Sequence, residues 1–169
     1  MKTKRLTAIL LAISSIFIMA FTTASAADEA SASVPVLLTV SNNYRSMSVT
    51  VPASFPVNIT NGTVLTADNA KITNNNKVGS IKVKAVTVKD GDFKIGDYDN
   101  FSGTKTIALK LNGISTKSAG KLSITDSAFH VIKPQENLPI KYFAKVSGDA
   151  AAMQNKEVAQ VIFTIALAE

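Results

Sequence analysis

Acid–base catalysis in this chain would depend on one side chain, because the sequence contains a single histidine, His130, and no cysteine. A Ser-His-Asp triad would need His130 as its base, but no Gly-x-Ser-x-Gly turn is present to expose a nucleophilic serine. The His-Glu-x-x-His pattern of zinc metalloproteases is also missing. His130 stands between Phe129 and Val131, which is typical of a structural or surface residue on a strand. We therefore expect no catalytic residue and no enzyme activity.

The acidic stretch from Asp90 to Asn100 contains four aspartates and is the best candidate metal site. Calcium binding needs several oxygen ligands close together. The EF-hand pattern fails here, because Lys94 stands where a third oxygen ligand belongs and the terminal glutamate is absent. Paired carboxylates would also suit a glycosidase. The interpretation that we favour is a solvated loop of turn-forming Asp and Gly residues, with no metal and no cofactor.

Three aromatic residues, Phe93, Tyr98 and Phe101, lie in the same stretch. Aromatic side chains offer a large apolar face, and a sugar ring can stack on such a face. These three residues are therefore the candidate glycan contacts. The alternative fate of the three rings is burial in the core.

Composition narrows the class of protein. The chain has 169 residues, of which 46% are hydrophobic and 18% charged, values that fit one folded domain better than a disordered chain. The absence of cysteine excludes a disulfide scaffold and every cysteine-based metal site. The formal net charge is +6, without the one-sided clustering that a nucleic-acid-binding surface requires. We expect no nucleic-acid partner.

The N-terminal residues have the pattern of a secretory signal peptide. Basic residues precede an apolar run from Leu6 to Phe21, and Ala24 and Ala26 fit the small-residue cleavage rule. The apolar run is shorter than the roughly 20 residues of a membrane span, although an uncleaved N-terminal anchor is the alternative. Cleavage after Ala26 predicts a secreted, extracellular protein that associates with the cell surface and has no membrane contact.

The predicted domain plan has three parts: a signal peptide at 1–26, a flexible N-terminal arm at 27–33 and a single domain at 34–169. Loss of the signal peptide removes Lys2, Lys4 and Arg5, which lowers the formal net charge from +6 to +3.

Alternation of apolar and polar residues dominates the domain, as in Val34 to Val40 and Ile107 to Leu111. Such alternation places one face of a strand in a core and the other in water. The dipeptides Asn61-Gly62, Asn112-Gly113 and Asp90-Gly91 are typical of tight hairpin turns. The spacing of these segments predicts an all-β fold, an antiparallel β-sandwich or jelly roll of about nine strands.

The alternation changes phase in one long segment, where Ala85 is followed directly by the apolar Val86. A shift of one residue moves side chains to the other face of a sheet, so a β-bulge near Ala85–Val86 would explain the pattern. A strand buried on both faces is the alternative.

The first apolar segment after the cleavage site, Ser31 to Val40, is a candidate assembly element. Strand donation completes an open sheet edge with main-chain hydrogen bonds and fills pockets with alternate side chains. The side chains that would fill them are Val34, Val36, Leu38 and Val40. The alternative is that this segment is simply the first strand of its own domain.

Three runs, 49–57, 69–76 and 79–83, together resemble secreted β-sandwich surface proteins of Gram-positive bacteria, in which a strand ending in Asn-Asn precedes a long Val-rich strand. One such group is the WxL cell-wall-binding domain; Phe93-Lys94-Ile95 and Phe163-Thr164-Ile165 stand where that group has its Trp-x-Leu triplets. The other is the TasA/camelysin group of biofilm-fibre proteins. The resemblance implies peptidoglycan binding in the first case. In the second it implies jelly-roll subunits that link by donating an N-terminal strand.

These observations predict a non-enzymatic protein of the cell surface or extracellular matrix. The expected role is that of a fibre or pilus subunit that assembles by exchange of its N-terminal strand. Its partners would be other copies of itself or other surface proteins. The alternative role is a WxL-like adhesion module whose partner is a cell-wall polymer or glycan.

Overall fold

A computed structural model describes residues 29–40, 47–148 and 154–168 of the chain. The predicted signal peptide, 1–26, lies outside these residues. The described residues form strands and no helix, so the all-β fold is confirmed. None of these residues belongs to a helix long and apolar enough to cross a bilayer.

The described residues form fourteen strands, five of them only two residues long, where the sequence predicts about nine. The strands are β1 (Glu29–Val40), β2 (Val49–Thr50), β3 (Ser54–Thr60), β4 (Thr63–Thr66), β5 (Lys71–Asn74), β6 (Ile81–Asp90), β7 (Lys94–Ile95), β8 (Thr106–Leu111), β9 (Ile114–Ser115), β10 (Gly120–Lys121), β11 (Asn137–Pro139), β12 (Tyr142–Val146), β13 (Lys156–Glu157) and β14 (Ala159–Leu167). Strand β1 starts at Glu29, inside the segment 27–33 for which the sequence predicts a flexible arm.

The strands belong to three sheets. A seven-stranded sheet has the order β10-β6-β14-β1-β3-β4, with β13 also paired to β1. A four-stranded sheet has the order β12-β8-β7, with β9 paired to β8, and a three-stranded sheet has the order β11-β5-β2. Most ladders are antiparallel, as expected, but β1–β13, β1–β14 and β7–β8 are parallel. Parallel partners cannot be joined by a hairpin, so local turn signals in the sequence do not predict them.

A line of aromatic rings joins the large sheet to the four-stranded sheet. The ring centroid of Phe55 on β3 lies 4.7 Å from that of Tyr142 on β12 and 6.2 Å from that of Phe163 on β14. Phe129 extends the line, 6.4 Å from Phe163. All four residues are buried. Rings at these separations add stabilisation beyond that of the apolar area they bury.

The two Asn-Gly turns are confirmed. Asn61-Gly62 joins β3 to β4 and Asn112-Gly113 joins β8 to β9, and all four residues have positive φ, from 45° to 85°. This is the backbone of a type I′ hairpin turn, which Asn and Gly tolerate best.

The prediction for Asp90-Gly91 is wrong, because neither residue has positive φ and no two-residue hairpin forms there. A Cβ on Gly91 would lie 2.8 Å from the carbonyl oxygen of Val158. Glycine is therefore present here for close packing of two backbones rather than for a tight turn.

The predicted β-bulge is confirmed, one residue from its expected position. On β14, Thr164 pairs with Ala85 and the next residue, Ile165, pairs with Val83, which leaves Lys84 of β6 without a partner. The extra residue turns Lys84 outward and keeps Val83 and Val86 in the core. The alternative of a strand buried on both faces does not hold, since Lys84 and Lys89 are exposed.

The Asn-Asn segment between β5 and β6 fixes the three-stranded sheet. Asn74 is fully buried, and its Nδ2 donates hydrogen bonds of 3.0 Å to the carbonyl oxygens of Gly79 and Ile132. The Nε2 of Gln135 donates to the carbonyl oxygens of Asn75 and Asn76, 2.9 Å away in both cases. The buried amide of Asn74 and the exposed amide of Gln135 thus both bind backbone carbonyl groups and hold the loops at this end of the sheet together.

Tyr142 offers a direct test of how the two large sheets are joined. Its hydroxyl donates to the carbonyl oxygen of Pro56 at 2.7 Å and accepts from the backbone N–H of Ala67 at 3.0 Å. Tyr142→Phe keeps the ring but leaves both groups unpaired, so we expect a loss of about 1–3 kcal/mol in the free energy of unfolding. Chemical denaturation measures it. Tyr98→Phe is the control, since no hydrogen bond is shown for that hydroxyl, and a loss equal to that of the control would contradict the prediction.

Candidate functional site

Strand β1 lies inside the large sheet and pairs on both of its edges. Its first half is antiparallel to β3, with Val34 opposite Phe55. Its second half is parallel to β14, with Val36 opposite Val161 and Leu38 opposite Phe163. The strand therefore connects two parts of the chain that are more than 100 residues apart.

The four candidate assembly residues differ in burial along β1. Val34 and Val36 are 0% and 7% exposed and belong to the core. Leu38 is half-buried against the core, and Val40 is 45% exposed. The predicted alternation thus holds at the start of the strand and weakens toward its end, where Leu37 on the opposite face is also exposed.

In the acidic stretch the first two carboxylates are each engaged by a lysine. Asp90 accepts a hydrogen bond of 2.8 Å from the backbone N–H of Ile95 and pairs with the Nζ of Lys94 at 3.2 Å. Asp92 pairs with the Nζ of Lys156 at 2.5 Å. The bond from Ile95 is the main reason that the pKa of Asp90 is lowered, and the bond from Lys156 lowers the pKa of Asp92.

The other two aspartates close the loop that follows β7. Asp97 accepts from the backbone N–H groups of Asp99 and Asn100 at 2.8 and 3.1 Å, which is the usual turn-forming role of Asp. Lys117 bridges the two carboxylates, with its Nζ 3.2 Å from Asp97 and 2.7 Å from Asp99. The bond from Asn100 has the largest effect on the pKa of Asp97, which falls from 3.8 to about 2.

These contacts fit the interpretation of a solvated, turn-forming loop, because each aspartate is engaged by lysine, by backbone N–H groups or by both. Within the described ranges, no three His, Cys, Asp or Glu side chains come together in a way that could hold a metal ion.

The three candidate glycan contacts do not form one exposed surface, because Phe93 is buried. Phe93 is 3% exposed and packs in the core, so its ring has no face for a ligand. Tyr98 and Phe101 are half-buried in the loop. Tyr98 has two ammonium groups near its ring, the Nζ of Lys145 at 4.7 Å and the Nζ of Lys110 at 5.1 Å from the centroid.

His130 is exposed and lies in a loop rather than on a strand. The alternation of a strand is absent here, because Phe129 is buried but His130 and Val131 are both exposed. His130 contributes to a shallow groove together with Pro139, Lys141 and Phe143.

Phe143 is the surface residue of this groove that sequence reasoning missed. It is 54% exposed and lies on β12, two residues after Lys141 and two before Lys145. The signal was present in the alternation, because the phase that directs Tyr142 inward directs Phe143 outward. An aromatic residue on the polar face of a strand is the pattern that would have identified it.

Comparison with known proteins does not assign a relative: no protein-family model, no curated protein and no solved structure matches this chain.

The pKa of Asp97 predicts how stability depends on pH. A carboxylate whose pKa is lowered by folding stabilises the native state above its ordinary pKa of 3.8, and this contribution is lost as the pH falls toward about 2. Asp97→Asn keeps an oxygen that can accept from the two backbone N–H groups but removes the titration. We expect the variant to lose less stability than the natural chain between these two pH values. Denaturation at several pH values measures the slope of the free energy of unfolding against pH. Asp68→Asn, at an exposed site outside the loop, is the control, and a slope for Asp97→Asn equal to that of the control would refute the prediction.

Proposed function

We propose that this protein is a non-enzymatic, secreted structural subunit of an extracellular fibre or matrix, and that neighbouring copies assemble by exchanging strand β1. The observation that carries the proposal is the position of β1. A strand near the N-terminus lies in the middle of a sheet, between β3 and β14, rather than at the edge of the sheet.

Strand β1 can leave without disturbing the other main ladders. Its removal would break the pairs with β3, β13 and β14. The ladders β10-β6-β14 and β3-β4 involve no residue of β1 and would remain. A groove would open between β3 and β14, with Phe55 and Phe163 on the two strands that flank it.

The side chains of a β1 strand fit this groove. Val34 and Val36 are among the side chains that cover the core at this place, and burying a valine stabilises a fold by roughly 1.5–3 kcal/mol. The β1 strand of a second copy makes the same contacts, so exchange loses no native contact. Donation of β1 from each copy to the next, head-to-tail, produces open filaments unless a ring closes, whereas reciprocal exchange between two copies gives a closed dimer.

The composition of β1 suits pairing between chains. Residues 30–40 contain no charged side chain, and charged residues are the common means by which natural strands avoid pairing with other molecules. A β1 strand that has left its own sheet can therefore pair with the open sheet of another copy.

A pair of single-cysteine variants tests exchange, because the chain has no cysteine of its own. Thr39 on β1 is the Cα partner of Thr164 on β14. We expect Thr39→Cys and Thr164→Cys, unfolded together and refolded in a concentrated mixture, to form a disulfide between the two different chains on oxidation. Mass spectrometry of the linked peptides identifies it, and its yield should rise with protein concentration.

The matched control replaces Thr164→Cys with Gln160→Cys, also on β14. Position 160 lies four residues from position 164, about 13 Å along a strand, which is too far for a disulfide to Thr39→Cys in the observed register. A yield for the Thr39/Thr164 mixture no greater than that of this control would reject strand exchange.

A further inference from the structure

The outer face of the β8–β12 ladder carries alternating basic and aromatic side chains, away from strand β1. We call it the basic–aromatic face and define it by Lys110, Tyr98, Lys141, Phe143 and Lys145. Phe143 is exposed on β12, Lys145 is half-buried two residues further along the strand, and Lys141 is exposed just before the strand begins.

Strand register brings the members of this face together. Phe143 is the cross-strand partner of Lys110, and residues opposite each other in an antiparallel pair share a face at short range. Lys141 is held beside the β8–β9 turn, where its backbone N–H donates to the Oδ1 of Asn112 at 2.8 Å.

Tyr98 extends the face from the neighbouring loop. Its ring has the ammonium groups of Lys110 and Lys145 within 5.1 and 4.7 Å, and its carbonyl oxygen accepts from the Nζ of Lys145 at 2.8 Å. The nearest acid shown for Lys110 is Asp99 at 3.9 Å, and Asp99 is held more closely by Lys117 at 2.7 Å. The positive charge of the face is therefore only partly compensated.

A groove of about 390 Å³ adjoins the face on the side of Lys141 and Phe143. His130, Asn112 and Ser127 add polar groups to its wall, and none of the described residues that line it is Asp or Glu. The groove thus combines an apolar ring, hydrogen-bonding groups and positive charge, without an opposing negative charge.

We propose that the basic–aromatic face and its groove bind an acidic polysaccharide, a chain of sugar rings that carry carboxylate groups. The exposed ring of Phe143 stacks on the apolar C–H face of a sugar, as the large flat surface of an aromatic side chain allows. Lys110 and Lys141 meet the carboxylates, and the groups in the groove bind sugar hydroxyls.

Two features favour a polysaccharide over nucleic acid, which also combines charge with stackable rings. The face offers three lysines, whereas a protein whose binding to nucleic acid depends strongly on salt makes about six to ten phosphate contacts. It also has one half-exposed ring beside a groove rather than a series of open stacking platforms. Because no residue of β1 takes part, the site does not depend on strand exchange.

The test uses the purified protein without residues 1–26, and polygalacturonate is the probe. We expect binding in affinity electrophoresis or calorimetry that weakens as salt is added, and no binding to neutral dextran. Phe143→Ala should weaken binding about five- to tenfold, equivalent to roughly 1–1.4 kcal/mol, while Phe143→Tyr should retain it.

Leu65→Ala is the matched control, because Leu65 is similarly exposed, at 52%, but lies on β4 of the other sheet. It should bind as the unmodified chain does. Thermal unfolding checks that each variant is folded. We expect both to fold, because Phe143 and Leu65 are exposed and their loss leaves no cavity in the core. The proposal is overturned by absence of binding to polygalacturonate, by equal binding to dextran, polyglutamate or single-stranded DNA, or by a Phe143→Ala variant that binds as well as Leu65→Ala.

Discussion

The pairing of β1 with both β3 and β14 is the interaction on which the large sheet depends. Without it, the sheet consists of two groups of strands that share no ladder. The same strand supplies Val34 and Val36 to the core between the sheets, so backbone pairing and apolar burial act together at one place. In the assembly that we propose, the same pairing completes the sheet of a neighbouring copy.

Each of the two large sheets carries one of the two features for which we propose a function. The seven-stranded sheet contains strand β1, for which we propose exchange between copies, and the four-stranded sheet carries the basic–aromatic face. Phe55 and Tyr142 pack across the core between them, and the hydroxyl of Tyr142 fixes their spacing through Pro56 and Ala67. If both proposals hold, the protein links to its copies through one sheet and binds a polysaccharide through the other.

Local rules predict the parts of this fold that depend on neighbours in sequence. Alternation identifies the long strands, and the phase change at Ala85 locates the bulge because one extra residue reverses the facing of every side chain after it. Long-range features escape such rules. The segment from Leu138 to Val146 alternates without a break, but the structure divides it at Ile140, where the chain passes from β5 as its partner to β8. The parallel β1–β14 ladder has no turn signal in the sequence, and the grouping of Tyr98 with Lys110 depends on how the loop after β7 packs.

The most direct measurement of the central claim uses one chain with both Thr39→Cys and Thr164→Cys. Oxidation closes a disulfide within the monomer and holds β1 in its own sheet, and reduction frees the strand with no other change to the sequence. Electron microscopy of concentrated samples after prolonged incubation should show filaments in the reduced protein and none in the oxidised protein. Filaments of equal abundance in both forms, or none in either, would contradict assembly through exchange of β1.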